Sequence, residues 1–162
     1  MKILVTGSNG QLGSELKKLS LSSKFNWLFT SRNNFDISLL SNINLFLNKQ
    51  DPDLIINCAA YTDVNQAEFD FNYADIVNHQ SVKIISKWCH KNNCKLIHVS
   101  TDYVYDGNIR TPIKEDHLPN PLNNYGRTKL KGDEVCCKYN PMSIIIRTSW
   151  LYSSFGKNFV KK

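Results

Sequence analysis

Residues 2–13 read Lys-Ile-Leu-Val-Thr-Gly-Ser-Asn-Gly-Gln-Leu-Gly, and they carry the strongest indication of the fold. Its apolar first half ends at a glycine, which is typical of a short buried strand. Apolar residues then recur at helical spacing from Gln11 to about Leu21. The sequence therefore predicts a strand, a tight glycine-rich turn and a helix, in that order.

The glycine-rich turn carries the first functional prediction. Glycines allow a tight turn and let backbone N–H groups at a helix N-terminus approach a pyrophosphate. Gly7, Gly10 and Gly13 follow the pattern G-x-x-G-x-x-G, not the G-x-G-x-x-G of the standard dinucleotide fingerprint. Glycines also end strands for steric reasons alone, but the flanking strand and helix favour dinucleotide binding.

The rest of the chain alternates further predicted strands and helices. Strands are expected at 26–30, 54–57, 95–99 and 143–147, and helices at 38–47, 73–92 and 125–137. Apolar strands that alternate with helices indicate a parallel sheet covered on both faces. The expected fold class is α/β, a Rossmann-like doubly wound sheet with strand order 3-2-1-4-5. Residues 100–124 are predicted to form a long loop, and such loops are usually functional.

Composition excludes several classes of function. The net charge of +6 comes from scattered lysines without an aromatic-interleaved basic stripe, so no nucleic-acid partner is expected. No apolar run approaches the roughly 20 residues of a membrane helix, so no membrane partner is expected. The N-terminus lacks a signal-peptide pattern, and five cysteines without repeated spacing suit a reducing compartment. A cytoplasmic location is therefore the expectation.

One cluster of cysteines and histidines is a candidate zinc site. Cys89 and His90 would end a helix, while Cys94 and His98 flank or lie in the next strand. Without a C-x₂-C knuckle this spacing is typical of ordinary packing, and no metal is expected.

The segment after the second strand bears on the choice of cofactor. An acidic residue there would bind a ribose 2′-hydroxyl and favour NAD, but the chain has Ser31 and Arg32. Arg32 could pair with a 2′-phosphate, which favours NADPH over NADH, or it could be a solvated side chain. Asp36 and Ile37 could border the adenine, and Asp36 could equally cap the next helix.

Candidate catalytic residues follow the fourth strand. Tyr125 and Lys129 lie four residues apart and so share one helical face, and Thr101 offers a hydroxyl to a carbonyl oxygen. A free tyrosine has a pKa of about 10, and a nearby ammonium lowers that pKa toward the working range. A lone Tyr-x-x-x-Lys is common on helices, but together with Thr101 and the glycine turn it favours catalysis.

With these motifs the chain resembles the extended short-chain dehydrogenase/reductases, and within them the dTDP-4-dehydrorhamnose reductases. The likeness runs in register over essentially the whole chain, in the segments 7–13, 57–62 (Asn-Cys-Ala-Ala-Tyr-Thr), 100–107 (Ser-Thr-Asp-Tyr-Val-Tyr-Asp-Gly), 121–129 (Pro-Leu-Asn-Asn-Tyr-Gly-Arg-Thr-Lys) and 147–152 (Arg-Thr-Ser-Trp-Leu-Tyr). It departs at 64–68, where Val-Asn-Gln-Ala-Glu replaces the expected Val-Asp-Lys-Ala-Glu.

The resemblance implies reduction of the 4-keto group of dTDP-4-dehydro-L-rhamnose to dTDP-L-rhamnose, with hydride from NADPH or NADH. It implies that Thr101 and Tyr125 hold the carbonyl, that Tyr125 donates the proton, and that Lys129 binds the nicotinamide ribose. Asp102 and Trp150 would contact the sugar. The implied cofactor contacts are Gly10, Gln11, Leu12, Asp36, Ile37, Ala59, Ala60 and Tyr61.

Compared with that family the chain is short. Residues 1–150 are expected to form the NAD(P)-binding domain with the catalytic residues, and 151–162 to begin a C-terminal part with the final strands and a substrate lobe. The 162 residues alone are expected to bind cofactor weakly and to be poorly active. A homodimer is possible for the full-length protein.

Two alternative functions stay open at this stage. One is a non-catalytic regulatory subunit resembling the beta subunit of methionine adenosyltransferase, against which the segment 147–150 favours a reductase. The other is a nucleotide-sugar epimerase or dehydratase that uses the same Thr, Tyr and Lys. Stoichiometric consumption of NADPH separates these enzymes from a reductase.

Overall fold

A computed structural model describes residues 1–108 and 110–161 of the chain. Within them, five parallel strands form one sheet: β1 (Lys2–Thr6), β2 (Asn26–Phe29), β3 (Leu54–Asn57), β4 (Lys95–Thr101) and β5 (Ile144–Thr148). The flanking helices are α1 (Gln11–Ser20), α2 (Leu40–Gln50), α3 (Phe71–Asp75), α4 (Ser81–Lys91) and α5 (Asn124–Tyr139). The predicted Rossmann-like α/β class is confirmed.

The strand order is 2-1-3-4-5 rather than the predicted 3-2-1-4-5. β1 pairs with β2 on one side and with β3 on the other, so that Val5 lies between Phe29 and Ile56. Burial explains this order. The β2 side chains are partly or fully exposed, as suits an edge strand, whereas Ile55 of β3 is completely buried. A strand that is buried in this way needs a neighbour on each side, which β1 and β4 provide.

The core forms where the inner strands meet the helices. Leu4 and Ile55 contribute from the sheet, and Ile43 and Leu47 contribute the buried stripe of α2. Trp88 of α4 packs into the same cluster and donates its indole N–H to Asn48 Oδ1 at 2.7 Å. A buried tryptophan needs such a partner for its one donor. In the described part of the chain, no helix is long and apolar enough to cross a membrane.

The helix predicted at 73–92 is a run of three pieces. A π-helical turn, Ile76–Gln80, separates α3 from α4. Its Asn78 is buried, and the amide nitrogen donates to the Tyr61 carbonyl at 3.0 Å and to Thr128 Oγ1 at 3.1 Å. A Cβ at Gly132 would lie 2.3 Å from the Asn78 carbonyl oxygen, so α5 approaches this turn closely. Isolated π turns of this kind are frequent at functional sites.

Candidate active site

The carboxyl ends of the strands surround one main cleft. It has a volume of about 490 Å³ and is bordered by the glycine turn, the β3 and β4 ends and the start of α5. A second cavity of about 220 Å³ continues it toward the end of β2. Gly7, Gly10, Cys58, Ala60 and Thr62 border both cavities, so the two form one groove across the sheet edge. This is where ligands bind in open α/β sheets.

The glycine turn is required by close backbone packing. Gly7 has φ +66°, and a Cβ there would lie 2.7 Å from the Ala59 nitrogen. A Cβ at Gly13 would lie 2.5 Å from the Gly7 carbonyl oxygen, whereas one at Gly10 would have 3.3 Å to that atom. Gly7 and Gly13 are thus packed tightly against backbone atoms of the turn. Gly10 is less crowded and leaves open room above the turn.

The N-terminus of α1 faces this room. Gly10 is the cap residue and supplies no side-chain hydrogen bond to the first turn. The first N–H groups of a helix have no partner within it, and they favour an anion. Gln11 and Leu12 begin the helix and line the main cleft with the three glycines. The turn therefore fits the pyrophosphate of a dinucleotide.

The smaller cavity holds the residues predicted for the adenosine end of the cofactor. Arg32, Asp36, Ile37 and Ala59 line it, with Arg32 exposed. Asp36 Oδ1 accepts the Ser38 N–H at 2.9 Å and the Ser38 hydroxyl at 2.8 Å. This carboxylate therefore closes a turn just before α2. The cap of α2 itself is Leu39, so the alternative of Asp36 as a helix cap does not hold.

The other end of the groove brings together Thr101, Asp102, Tyr103 and Tyr125. Thr101 Oγ1 donates to Asp102 Oδ1 at 3.2 Å and accepts the Tyr103 N–H at 3.2 Å. The Tyr103 and Tyr125 rings meet edge to face with their centroids 5.5 Å apart. A Cβ at Gly126 would lie 2.2 Å from the Tyr103 carbonyl oxygen, which explains the glycine after the tyrosine.

Burial raises the pKa of Tyr125, although a hydrogen bond with the Thr101 side chain acts in the opposite direction. This corrects the expectation that Lys129 lowers the pKa of this phenol. The Lys129 ammonium points inward to β4 instead, and it donates to the Val99 carbonyl at 2.8 Å. The side chains of Tyr125 and Lys129 share a helical face and line the same cleft, but the Lys129 ammonium is directed toward β4 beneath the cleft.

Among the residues that the structure describes, Lys129 is the largest fully buried side chain, with 2% of its surface exposed. Burial lowers the pKa of its ammonium to about 8. Asp133, one turn further along α5, is also buried and accepts from Arg147 Nε at 3.0 Å. The buried Asp133 carboxylate thus pairs directly with Arg147 and interacts electrostatically with Lys129.

Two side chains fix the start of α5. Asn123 is its N-cap, and its Oδ1 accepts the Gly126 N–H at 2.7 Å. Glu68 Oε1, just before α3, accepts the Asn124 N–H at 2.7 Å. Sequence reasoning missed this use of Glu68, since a contact between residues 56 positions apart leaves no local pattern.

Trp150 lies on the far wall of the main cleft with 70% of its surface exposed. Its ring packs edge to face on Phe159 at 5.2 Å. Gly156 and Lys157 line the same wall, and Asn158 donates to Gln11 Oε1 at 2.9 Å. No local pattern in the sequence indicates that residues after 150 reach back to α1.

Tyr61 is the one predicted site residue that lines neither cavity. Its ring packs edge to face on Tyr73, and its hydroxyl donates to Asp70 at 3.4 Å. The β3 loop holds it there because Asn78 binds both the N–H and the carbonyl of Tyr61. Among the described residues there is also no group of three or more His, Cys, Asp or Glu side chains that could hold a metal.

Comparisons with known proteins find relatives along the whole chain. A family described as the RmlD substrate binding domain matches residues 1–162. The chain is 37% identical over 161 residues to a dTDP-4-dehydrorhamnose reductase of Aggregatibacter actinomycetemcomitans, an alignment that covers 99% of the chain and 55% of the relative. The chain thus spans about half the length of the curated relatives it matches.

Two solved structures of dTDP-4-dehydrorhamnose reductases are also similar to this chain. A dTDP-4-dehydrorhamnose reductase of Clostridium acetobutylicum has a TM-score of 0.95 and 38% identity, covering 99% of this chain and 57% of that one. One from Bacillus anthracis, in complex with NADP, has a TM-score of 0.94 and 34% identity, with the same coverage.

Proposed function

This chain belongs to the RmlD substrate binding domain family, and from that membership we propose that it is the cofactor-binding and catalytic portion of an NAD(P)-dependent nucleotide-sugar reductase. The reaction proposed is reduction of the 4-keto group of dTDP-4-dehydro-L-rhamnose to dTDP-L-rhamnose. Residues 1–150 would form the catalytic domain. A cytoplasmic location and a homodimer of the full-length protein remain predictions.

One observation carries the proposal. The glycine turn that fits a pyrophosphate and the group of Thr101, Tyr125 and Lys129 border a single cleft. A dinucleotide laid across the sheet edge, with its pyrophosphate on the turn, would present its other end to that group. Either feature alone is common, but their meeting in one cleft is what a nicotinamide-dependent reductase requires.

The cofactor would be held along the groove. Its pyrophosphate would lie on Gly10, Gln11 and Leu12, and its adenosine end in the smaller cavity near Asp36 and Ile37. The exposed Arg32 at that cavity favours a 2′-phosphate and hence NADPH. Gly7, Gly13, Ala59 and Ala60 would let the cofactor pass close over the backbone, whereas Tyr61 would act only through the shape of the β3 loop.

Tyr125 is the proposed proton donor. Because burial raises the pKa of this phenol, it stays protonated at neutral pH and has a proton to give. Thr101 would hold the same carbonyl oxygen by a hydrogen bond. When bound, reduced nicotinamide supplies the hydride to the carbonyl carbon, and the Tyr125 proton on the oxygen completes the alcohol.

The neighbouring side chains would orient the reactants. Lys129 would offer its ammonium to the nicotinamide ribose from beneath the cleft, where it is stabilised by the Val99 carbonyl. Asp102, beside Thr101, and the exposed ring of Trp150, on the opposite wall, would both contact the sugar. Tyr125 and Trp150 thus face the substrate from two sides.

The first test is cofactor binding by the 162-residue chain. Titration with NADPH, followed by cofactor fluorescence, is expected to give weak but saturable binding. Absence of binding at millimolar NADPH would reject the proposal.

The second test is the reaction of the complete protein that carries these residues. NADPH consumption with the 4-keto sugar nucleotide should be stoichiometric, and Tyr125→Phe should lower kcat by roughly 10²–10⁴-fold while cofactor affinity is kept. Tyr139→Phe is the matched control, since Tyr139 ends the same helix and lines neither cavity. Turnover without net NADPH consumption indicates an epimerase or dehydratase, and cofactor binding without any turnover indicates a regulatory subunit.

A further inference from the structure

His98 is a buried titratable residue that the proposed reaction does not use. It lies on β4 with none of its surface exposed. Asn57 Nδ2 lies 3.1 Å from its Nδ1, and Lys129 Nζ lies 3.5 Å from its Nε2. The imidazole therefore connects the end of β3 with the buried lysine of α5.

The proton positions in this series of hydrogen bonds follow from the groups at its far end, Ala59 and Thr6. The Ala59 N–H, which can only donate, binds Thr6 Oγ1 at 3.2 Å. The Thr6 hydroxyl then donates its one proton to Asn57 Oδ1 at 2.6 Å. The Asn57 amide nitrogen is left facing His98 Nδ1 as a donor, so Nδ1 accepts. A neutral imidazole with an acceptor at Nδ1 carries its proton on Nε2.

The reverse orientation of the Asn57 amide is disfavoured. It would place two N–H donors on the Thr6 oxygen and leave the Thr6 proton without an acceptor in the contacts that the described residues make. Thr6 is 1% exposed, so water does not replace that acceptor, and a buried unpaired hydroxyl is costly. Burial and the nearby Lys129 charge hold the pKa of His98 well below its ordinary value, which keeps the imidazole neutral.

We propose that the Ala59–Thr6–Asn57 hydrogen-bond chain fixes the proton of His98 on Nε2, and that His98 is thereby a positioning residue for Lys129. An Nε2–H group cannot accept a hydrogen bond from the ammonium. Lys129 then has the Val99 carbonyl as its inner acceptor and keeps its remaining protons for the cleft. The role of Lys129 rests on the proposed function, but the position of the His98 proton does not.

The other groups around Lys129 do not replace this effect. Asp133 and Cys136 face it from its own helix and Cys58 from the loop after β3. The Asp133 carboxylate is directed to other groups, because its Oδ2 accepts from Arg147 and its Oδ1 lies 3.9 Å from His98 Nε2, where it favours a proton on that nitrogen. Burial raises the pKa of Cys58 and of Cys136 to about 12 each, so both thiols are neutral and weak acceptors. His98 is therefore the neighbour whose proton decides whether Lys129 has a second inner acceptor.

The test is ¹⁵N NMR of the His98 ring in the 162-residue chain, without cofactor. The wild-type spectrum should show an unprotonated Nδ1 and a protonated Nε2. Thr6→Val removes the donor that orients Asn57 without adding charge, so His98 should become a mixture of both tautomers. Thr30→Val is the matched control, because Thr30 is also 1% exposed but bonds to the Val5 carbonyl. Its His98 signals should match those of the wild type.

A titration of the Lys129 side chain by ¹³C NMR tests the consequence for the lysine. Thr6→Val should raise the proton affinity of Lys129 roughly threefold to tenfold, because Nε2 becomes an acceptor part of the time. Thr30→Val should leave it unchanged. A protonated Nδ1 in the wild type overturns the proposal even where Thr6→Val does not fold, as does a folded Thr6→Val chain that matches the control. Because these readouts need no cofactor, a failure to bind NADPH counts against the proposed function alone.

Discussion

The two sides of the main cleft are built in opposite ways. On the glycine-turn side (residues 7–13 and 58–60), backbone packs on backbone so closely that Gly7 and Gly13 have no room for a Cβ. On the Trp150 side (residues 149–161), aromatic rings lie largely exposed and contact mainly one another, as Trp150 and Tyr152 do with Phe159. Within the described residues, the hydrogen bond from Asn158 to Gln11 ties this side to α1.

This difference in packing shows which part of the cleft is preorganised. A ligand that binds the glycine turn meets a surface whose shape is set by the sheet itself. A ligand that contacts Trp150 meets side chains whose positions depend on few partners, and such positions cost more ordering on binding. Mutations on the first side should therefore act on folding and cofactor binding together, and those on the second side on the substrate alone.

The largest effect on stability is expected for Gly13→Ala. The new Cβ would lie 2.5 Å from the Gly7 carbonyl oxygen and 2.6 Å from the Ser8 Cα, and both atoms are backbone. We expect the free energy of unfolding to fall by about 2–4 kcal/mol, measured by urea denaturation, with loss of NADPH binding. Gly107→Ala is the control. A Cβ there has open space, so only its φ of +75° costs about 1 kcal/mol. Equal losses for both variants would contradict the packing argument.

The next largest effect concerns Lys129, which lies under the cleft between the two sides. Lys129→Met removes a buried charge and should raise the free energy of unfolding at pH 7 by about 2 kcal/mol. The folded-state pKa of about 8 lies below the model-compound value of 10.5, so the unfolded chain binds more protons between these pH values. The free energy of unfolding of the wild type should therefore increase, relative to that of Lys129→Met, as the pH rises from about 8 to 10.5.

Lys131→Met serves as the control for this prediction. Lys131 lies on the same helix but is 43% exposed and pairs with Asp75. Its replacement should change the free energy of unfolding by less than about 1 kcal/mol, without the same dependence on pH. A wild-type curve parallel to that of Lys129→Met would show that the buried lysine is not the titrating group.

The smallest effect on stability is expected on the Trp150 side. Trp150→Ala removes an exposed ring, so the free energy of unfolding should change by no more than about 0.5 kcal/mol, and NADPH binding should persist. In the complete protein, KM for the sugar nucleotide should rise. Trp27→Ala offers a comparison, because Trp27 stacks on Phe29 of β2, outside the cleft. A large loss of stability in Trp150→Ala would remove the contrast between the two sides.

Sequence reasoning succeeded where the determinants are local. The strand, glycine turn and helix at residues 2–20 follow from spacing, and the shared face of Tyr125 and Lys129 follows from helical geometry. It failed where contacts cross the fold. The place of β3 depends on which neighbours bury it, and the inward turn of Lys129 depends on the Val99 carbonyl. Tyr61 is held away from the cleft by a hydrogen bond with Asn78, which lies 17 residues further along the chain, and no local sequence pattern predicts this contact.

The π-helical turn at Ile76–Gln80 has a consequence for how the chain tolerates changes in length. Each residue of an α-helix advances the chain by 100°, whereas the wider π turn fits one extra residue into nearly the same rotation. Deleting one residue there would therefore restore an unbroken α-helix and leave the buried faces of α3 and α4 nearly in phase. The bulged position of the Asn78 amide, which binds the Tyr61 carbonyl and Thr128, would be lost instead. A chain shortened by one residue in this segment should consequently keep its fold but lose the anchor of the loop after β3.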